Sequence, residues 1–257
     1  MHTPVCSTGR AARVLCIDRK RNQKGIDAQI KKYFTDEKWS RVTYVNMDLT
    51  DLTHSRLTQE VKKAFQVKLA KLSAVHYSPP CETYSYAHHS NNPHRLGTMP
   101  RMGEKGILAR QHDAMNGTVL KALGEMSTRC KAVISIENPV CHFQFMAFTK
   151  RLLSCPGWMH KQADHCSNRD DNDIIFPRKR TSWFLYNVKP DVPLQLCTNQ
   201  CGDCLIPSTT YHKLLISWRD DKLDAQEVMR DAVEKGSIPM KIFDILENYR
   251  EVHHANP

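Results

Sequence analysis

Short apolar runs that each close on a chemically useful residue constrain this chain more than any other feature. They are Arg13 to Asp18 (RVLCID), Val42 to Met47 ending at Asp48, Ala74 to Ser78 running into Pro79-Pro80-Cys81, and Ala132 to Ile136 delivering Glu137-Asn138-Pro139. Runs of this length without polar alternation suit strands buried on both faces. Between them the apolar positions change to helical spacing: Ile26, Ile30, Tyr33 and Phe34; then Leu57 to Leu72; then Leu108, Met115, Val119, Leu120 and Leu123 within Ile107 to Met126. This alternation predicts an α/β fold in which a parallel sheet carries helices on both faces. Further along, Phe143 to Leu153 predicts a helix, Ser167 to Asp173 a loop, Thr181 to Val188 a strand, and Ile238 to Tyr249 a Pro-started amphipathic helix.

The 257 residues divide into a main domain over 1–190 and a smaller Cys-containing lobe with a closing helix over 191–257. No apolar run reaches the ~20 residues a bilayer span requires, and the opening MHTPVCSTGRAAR lacks a signal-peptide core. The expectation is a soluble intracellular protein with no membrane partner, nuclear in a eukaryote or in the host cell if viral. Lys and Arg exceed Asp and Glu, 37 against 27, so the chain carries +10 and its field attracts polyanions, nucleic acid first among them. Ten Cys spread along such a chain read as reduced thiols rather than a disulfide framework.

Ser78-Pro79-Pro80-Cys81 is the most informative motif. In a doubly wound sheet, ligands sit beyond the carboxyl ends of the strands, so a stiff Pro-Pro turn there presents the next side chain to the crevice. Enzymes that methylate exocyclic amines place an aromatic residue at that point; a thiol can instead attack carbon. Glu137 closes a later strand, and consecutive parallel strands often lie side by side, so the two side chains can face one pocket.

Together these residues resemble the cytosine-5 DNA methyltransferase family, in particular its compact viral-type members, which carry SPPC, IENP and a late basic strand like Pro177-Arg178-Lys179-Arg180-Thr181. The resemblance runs from about Val14 to Thr181, with an echo at Ser237-Ile238-Pro239. It implies a Rossmann-like methyltransferase sheet and methyl transfer from S-adenosylmethionine to carbon 5 of cytosine. It implies Cys81 as nucleophile, Glu137 as the acid at ring nitrogen 3 and the amino group, and Arg178 or Arg180 as support for the base and the glutamate. For the cofactor it implies Asp18 at the ribose, Asp48 near the adenine amine, Ser78 and Pro79 alongside, and Thr8 and Gly9 in a Gly turn.

The chemistry suits those roles. A thiolate adding to carbon 6 turns an unreactive aromatic carbon 5 into an enamine carbon. Charge then builds toward nitrogen 3, where a carboxylic acid can donate, and a water-poor pocket favours the protonated acid. Arg178, Lys179 and Arg180 would favour the thiolate if the fold brings them close.

A cytosine inside a duplex is out of reach, so the DNA partner is a duplex with a flipped base or a single strand. The stretch His88 to Lys105 predicts a long mobile loop able to hold that strand and fill the gap, with His89, His94, Arg95, Arg101 and Lys105 on phosphates. In place of the family's full glycine turn stands only Cys6-Ser7-Thr8-Gly9, with too few residues before Asp18 for the usual helix and strand; the N-terminal strand and turn read as truncated. Two other readings therefore share these residues: a catalytically impaired DNA-binding relic of the same fold, and an RNA cytosine-5 methyltransferase. Cys197, Cys201 and Cys204 followed by His212 have the donor types and close spacing of a structural zinc site, against buried thiols as the alternative. Cys6, Cys16, Cys130, Cys141, Cys155 and Cys166 read as small core side chains.

Overall fold

Apolar alternation along the chain is converted into a mixed α/β architecture. The computed structural model describes residues 14–18, 42–84, 93–168, 180–198 and 240–251. The strands are β1 (Val14–Asp18), β2 (Val42–Asn46), β3 (Ala74–Tyr77), β4 (Arg95–Leu96), β5 (Met99–Pro100), β6 (Val133–Pro139), β7 (Trp158–Asp164) and β8 (Arg180–Tyr186). The helices are α1 (His54–Phe65), α2 (Ile107–Ser127), α3 (Ala147–Leu153) and α4 (Met240–Asn248).

β1 and β2 pair in parallel, with Asp18 opposite Asn46, so both acid-bearing ends point the same way. The larger sheet has the order β3-β6-β8-β7. β3 and β6 are parallel neighbours, with Tyr77 opposite Ile136, whereas β8 runs antiparallel to both β6 and β7. The expected parallel sheet is therefore mixed. β7 was not foreseen because WMHKQAD alternates weakly and carries three polar residues in its centre.

Why β6 lacks polar alternation is plain from what covers it. Ile134 and Ile136 on one face join Tyr77, Phe184, Phe143 and the helical residues Val61, Val119, Leu123 and Leu152 in one core. Val133 on the other face joins Trp183, Leu185, Ala163 and the α4 residues Ile242 and Leu246 in a second core. A strand buried from both sides can carry apolar residues on either face, and its buried polar Ser135 is hydrogen-bonded to the His76 ring at 2.9 Å.

Helix boundaries shift for local reasons. Thr53 caps α1 by accepting the Arg56 amide at 3.1 Å, and the helix stops at Gln66, whose φ of 58° is left-handed; a 3-10 turn over Leu69–Lys71 then leads into β3. The expected single helix over Leu57 to Leu72 is thus two pieces. Likewise the helix expected from Phe143 begins at Ala147, after a 3-10 turn over His142–Phe145. The region expected to be a mobile loop is, over its described part, the β4–β5 hairpin and a 3-10 turn, with Gly97 (φ 59°) at the reversal. The helix expected at residues 25–34 and the loop over 169–173 lie outside the described residues, as does the expected lobe apart from residues 191–198 and α4. Among the described residues no helix is long and apolar enough to cross a membrane.

Phe184 is fully buried and touches both Phe143 and His160. Phe184→Ala should lower the unfolding free energy by about 3–5 kcal/mol in urea titration, whereas Leu96→Ala, at a 65% exposed position, should stay within about 0.5 kcal/mol.

Candidate active site

The Pro-Pro turn and the Glu-Asn-Pro end are stitched together side chain by side chain. Because β3 and β6 are parallel and in register, Ser78 emerges beside Glu137 on one face, and Pro79 beside Asn138 on the other. Ser78 Oγ donates to Glu137 Oε2 at 2.9 Å, and Asn138 Nδ2 donates to the Pro79 carbonyl at 3.1 Å. Asn138, fully buried, also accepts from the Cys141 thiol at 2.9 Å. One strand end thereby fixes the backbone that carries Cys81 while keeping Glu137 at 4% exposure.

Cys81 lies at the far side of that turn with its thiol exposed. Its carbonyl accepts the Tyr84 amide at 3.0 Å, and the Tyr84 carbonyl in turn accepts the His142 amide at 3.1 Å. Cys141 differs in kind: burial pushes its thiol up to about 12, with the charges of Cys81 and Glu137 acting in the same direction. Burial likewise raises Cys130. Both match the expectation of core side chains, whereas Cys81 is exposed. Burial, and then the positive charge of Arg95, hold His142 below the usual histidine value.

Arg180 is placed differently from Glu137. Glu137 is opposite Trp183 in the β6–β8 ladder, so strand alternation puts Arg180 on the other face of the sheet. There its guanidinium bonds both oxygens of the fully buried Asp164, at 3.2 and 3.1 Å. Its carbonyl accepts the Val140 amide at 3.0 Å, so its backbone supports the segment just past Glu137. Arg178 and Lys179 lie outside the described residues.

Arg95, expected on charge alone to contact phosphate, is buried. Its guanidinium bonds the Asp113 carboxylate and the Thr98 and Ala109 carbonyls, and lies 4.2 Å from the centre of the Tyr84 ring. A half-buried carboxylate and two carbonyls are stronger calls on a guanidinium than solvent, which is why charge counting misplaces it. Exposed Lys105 remains at the surface beside half-buried His94 and Arg101. His88 and His89 lie outside the described residues.

Of the residues expected at a cofactor, Asp18 ends β1 and Asp48 follows β2. Asp48 Oδ1 accepts the Thr50 amide at 3.0 Å and the Thr50 hydroxyl at 2.8 Å, capping a short turn. Thr8 and Gly9 lie outside the described residues. So do Cys201, Cys204 and His212; Cys197 is buried, its amide donating to Asp164 Oδ2 at 2.8 Å. Among the described residues no group of three or more His, Cys, Asp or Glu could hold a metal ion.

Reasoning from sequence missed Asn138, Tyr84 and Asp113. Asn138 carried a signal, since a residue next to Glu137 must point to the opposite face and so toward the neighbouring turn; nothing in the local pattern marked the other two.

No family model matches the chain, and no curated protein matches it. Solved structures that resemble it include the S. pombe Dnmt2 methyltransferase, at TM-score 0.38 and 12% identity over 67% of this chain and 49% of that one. The Entamoeba histolytica methyltransferase EhMeth is similar at TM-score 0.27 and 14% identity, over 72% of this chain and 56% of that one. The chain thus spans about half the length of the solved proteins it resembles.

Alkylation at pH 8 followed by peptide mapping should label Cys81 well before Cys141 and Cys130. Labelling of Cys141 first in the folded protein would contradict this geometry.

Proposed function

We propose that the chain transfers a methyl group from S-adenosylmethionine to carbon 5 of cytosine in DNA, through a covalent adduct with Cys81. The observation that carries this reading is the register of β3 on β6, which sets an exposed thiol and a buried glutamate at the same end of neighbouring strands, joined by the Ser78–Glu137 and Asn138–Pro79 bonds. Those two groups are what carbon 5 substitution needs: a nucleophile for carbon 6 and an acid at the ring's nitrogen 3.

The order of events follows from the charges. The Cys81 sulfur forms a bond to carbon 6, and the electron pair displaced from the ring double bond makes carbon 5 nucleophilic while nitrogen 3 gains a hydrogen bond or proton from Glu137. Ser78, donating to the other end of that carboxyl group, orients it. S-adenosylmethionine supplies an electrophilic sulfonium methyl for carbon 5. Loss of the carbon 5 proton to a base then restores the double bond and returns the electron pair of the carbon–sulfur bond to Cys81. Asp18 and Asp48 stand at or just past the ends of paired strands, and aspartate is the residue type that accepts from a nucleoside's hydroxyl and amine protons. The excess of 10 positive charges supports a polyanionic substrate.

DNA carrying 5-fluorocytosine should trap a complex that survives denaturation, because fluorine cannot leave as the proton does. Cys81→Ser should abolish both the trapped complex and methyl transfer while DNA binding persists. Turnover by the serine variant at the parent rate would defeat the mechanism, and efficient transfer to RNA in preference to DNA would correct the substrate.

A further inference from the structure

We infer that Asp113 is a positioning residue that couples the β4–β5 hairpin to the turn carrying Cys81; the chemistry served rests on the reaction proposed above, but the coupling does not.

Asp113 projects from α2 and takes two calls at once. From one side the Tyr84 hydroxyl donates to its Oδ1 at 2.7 Å. From the other, Arg95 at the root of the hairpin donates to Oδ2 at 3.1 Å and, through its second terminal nitrogen, to Oδ1. Tyr84 is also the residue whose amide closes the turn on the Cys81 carbonyl. Its neighbour Thr83 bonds the His112 ring at 3.0 Å, and Asn116 donates to the Tyr84 hydroxyl at 2.9 Å, so one face of α2 holds the whole turn. Asn116 is itself held by the Tyr77 hydroxyl from β3. Burial above all, and then the bond to Asp113, keep the Tyr84 phenol neutral and hence a donor.

The hairpin's root and tip have opposite characters. Arg95 is 1% exposed, whereas Leu96 and Met99, which flank the reversal, are 65% and 70% exposed. Removing a guanidinium from water is costly, and well-packed apolar side chains often match such a buried pair for stability. What the pair supplies that apolar packing does not is direction: a guanidinium fork fixed on the Asp113 carboxylate and the Ala109 carbonyl of α2 sets the hairpin's orientation, while its bond to the Thr98 carbonyl ties the hairpin's own turn. Because Tyr84 uses that same carboxylate and lies against the same guanidinium, a displacement of the hairpin reaches the turn holding the thiol. The connection runs through side-chain contacts, bypassing the intervening chain.

The test reads the alkylation rate of Cys81 relative to half-buried Cys155 in the same folded molecule, so that global loosening cancels. Arg95→Lys keeps the charge but loses the fork, and Tyr84→Phe keeps the ring but loses the hydroxyl. Each should shift the ratio by about threefold or more, and the two together should do no more than the larger alone, since both act through Asp113. If Arg95→Lys does not fold, Asp113→Asn paired with Tyr84→Phe closes the same cycle. A ratio held at the parent value while the melting temperature falls would reduce the network to core packing and overturn the coupling; so would effects that multiply independently. In methyl-transfer assays Tyr84→Phe should lower kcat with KM for DNA unchanged. If the parent chain transfers no methyl group, the proposed reaction fails and the alkylation cycle still decides the coupling.

Discussion

Everything at the site depends on the parallel register between β3 and β6. A slip of one residue would carry Ser78 and Glu137 to opposite faces and move Asn138 away from the Pro79 carbonyl. The register is enforced elsewhere, by isoleucines and aromatics that fit one core on each face of β6. Apolar burial thus sets the relative position of two polar side chains that contribute little to the cores themselves.

A second device locks what the register has set. Pro79 and Pro80 restrict the backbone of the turn, and Asn138 holds its carbonyl from a buried position, so little conformational freedom remains in the segment leading to Cys81. The cost of ordering this thiol is met during folding, which is how positioned groups gain effective concentration. The same turn leaves Cys81 at the surface while Cys141, three residues past Asn138, is sealed and kept protonated.

How much of this the sequence discloses follows the range of the interactions. Strands and helices came from periodicity, which is local, and the SPPC and IENP turns came from residue types at strand ends. The partners that depend on tertiary contact did not come through. Arg95 reads as a surface cation until Asp113, a residue on a helix with no special pattern, is seen to hold it. Arg180 reads as a companion of Glu137 until strand alternation turns it toward Asp164. β7 hides because its central residues are polar, and it becomes a strand through pairing with β8 along its whole length.

The late position of α4 in the chain has a consequence for synthesis. Ile242 and Leu246 complete the core over Val133, Trp183 and Leu185, and Arg250 bonds the carbonyls of Ser73 and Lys131 just ahead of β3 and β6. While the ribosome is still adding residues 240–250, that face of the sheet stands uncovered, and the pair of strands bearing the thiol and the glutamate lacks its clamp. A partly synthesised chain without α4 therefore exposes an apolar sheet face of the kind that chaperones engage.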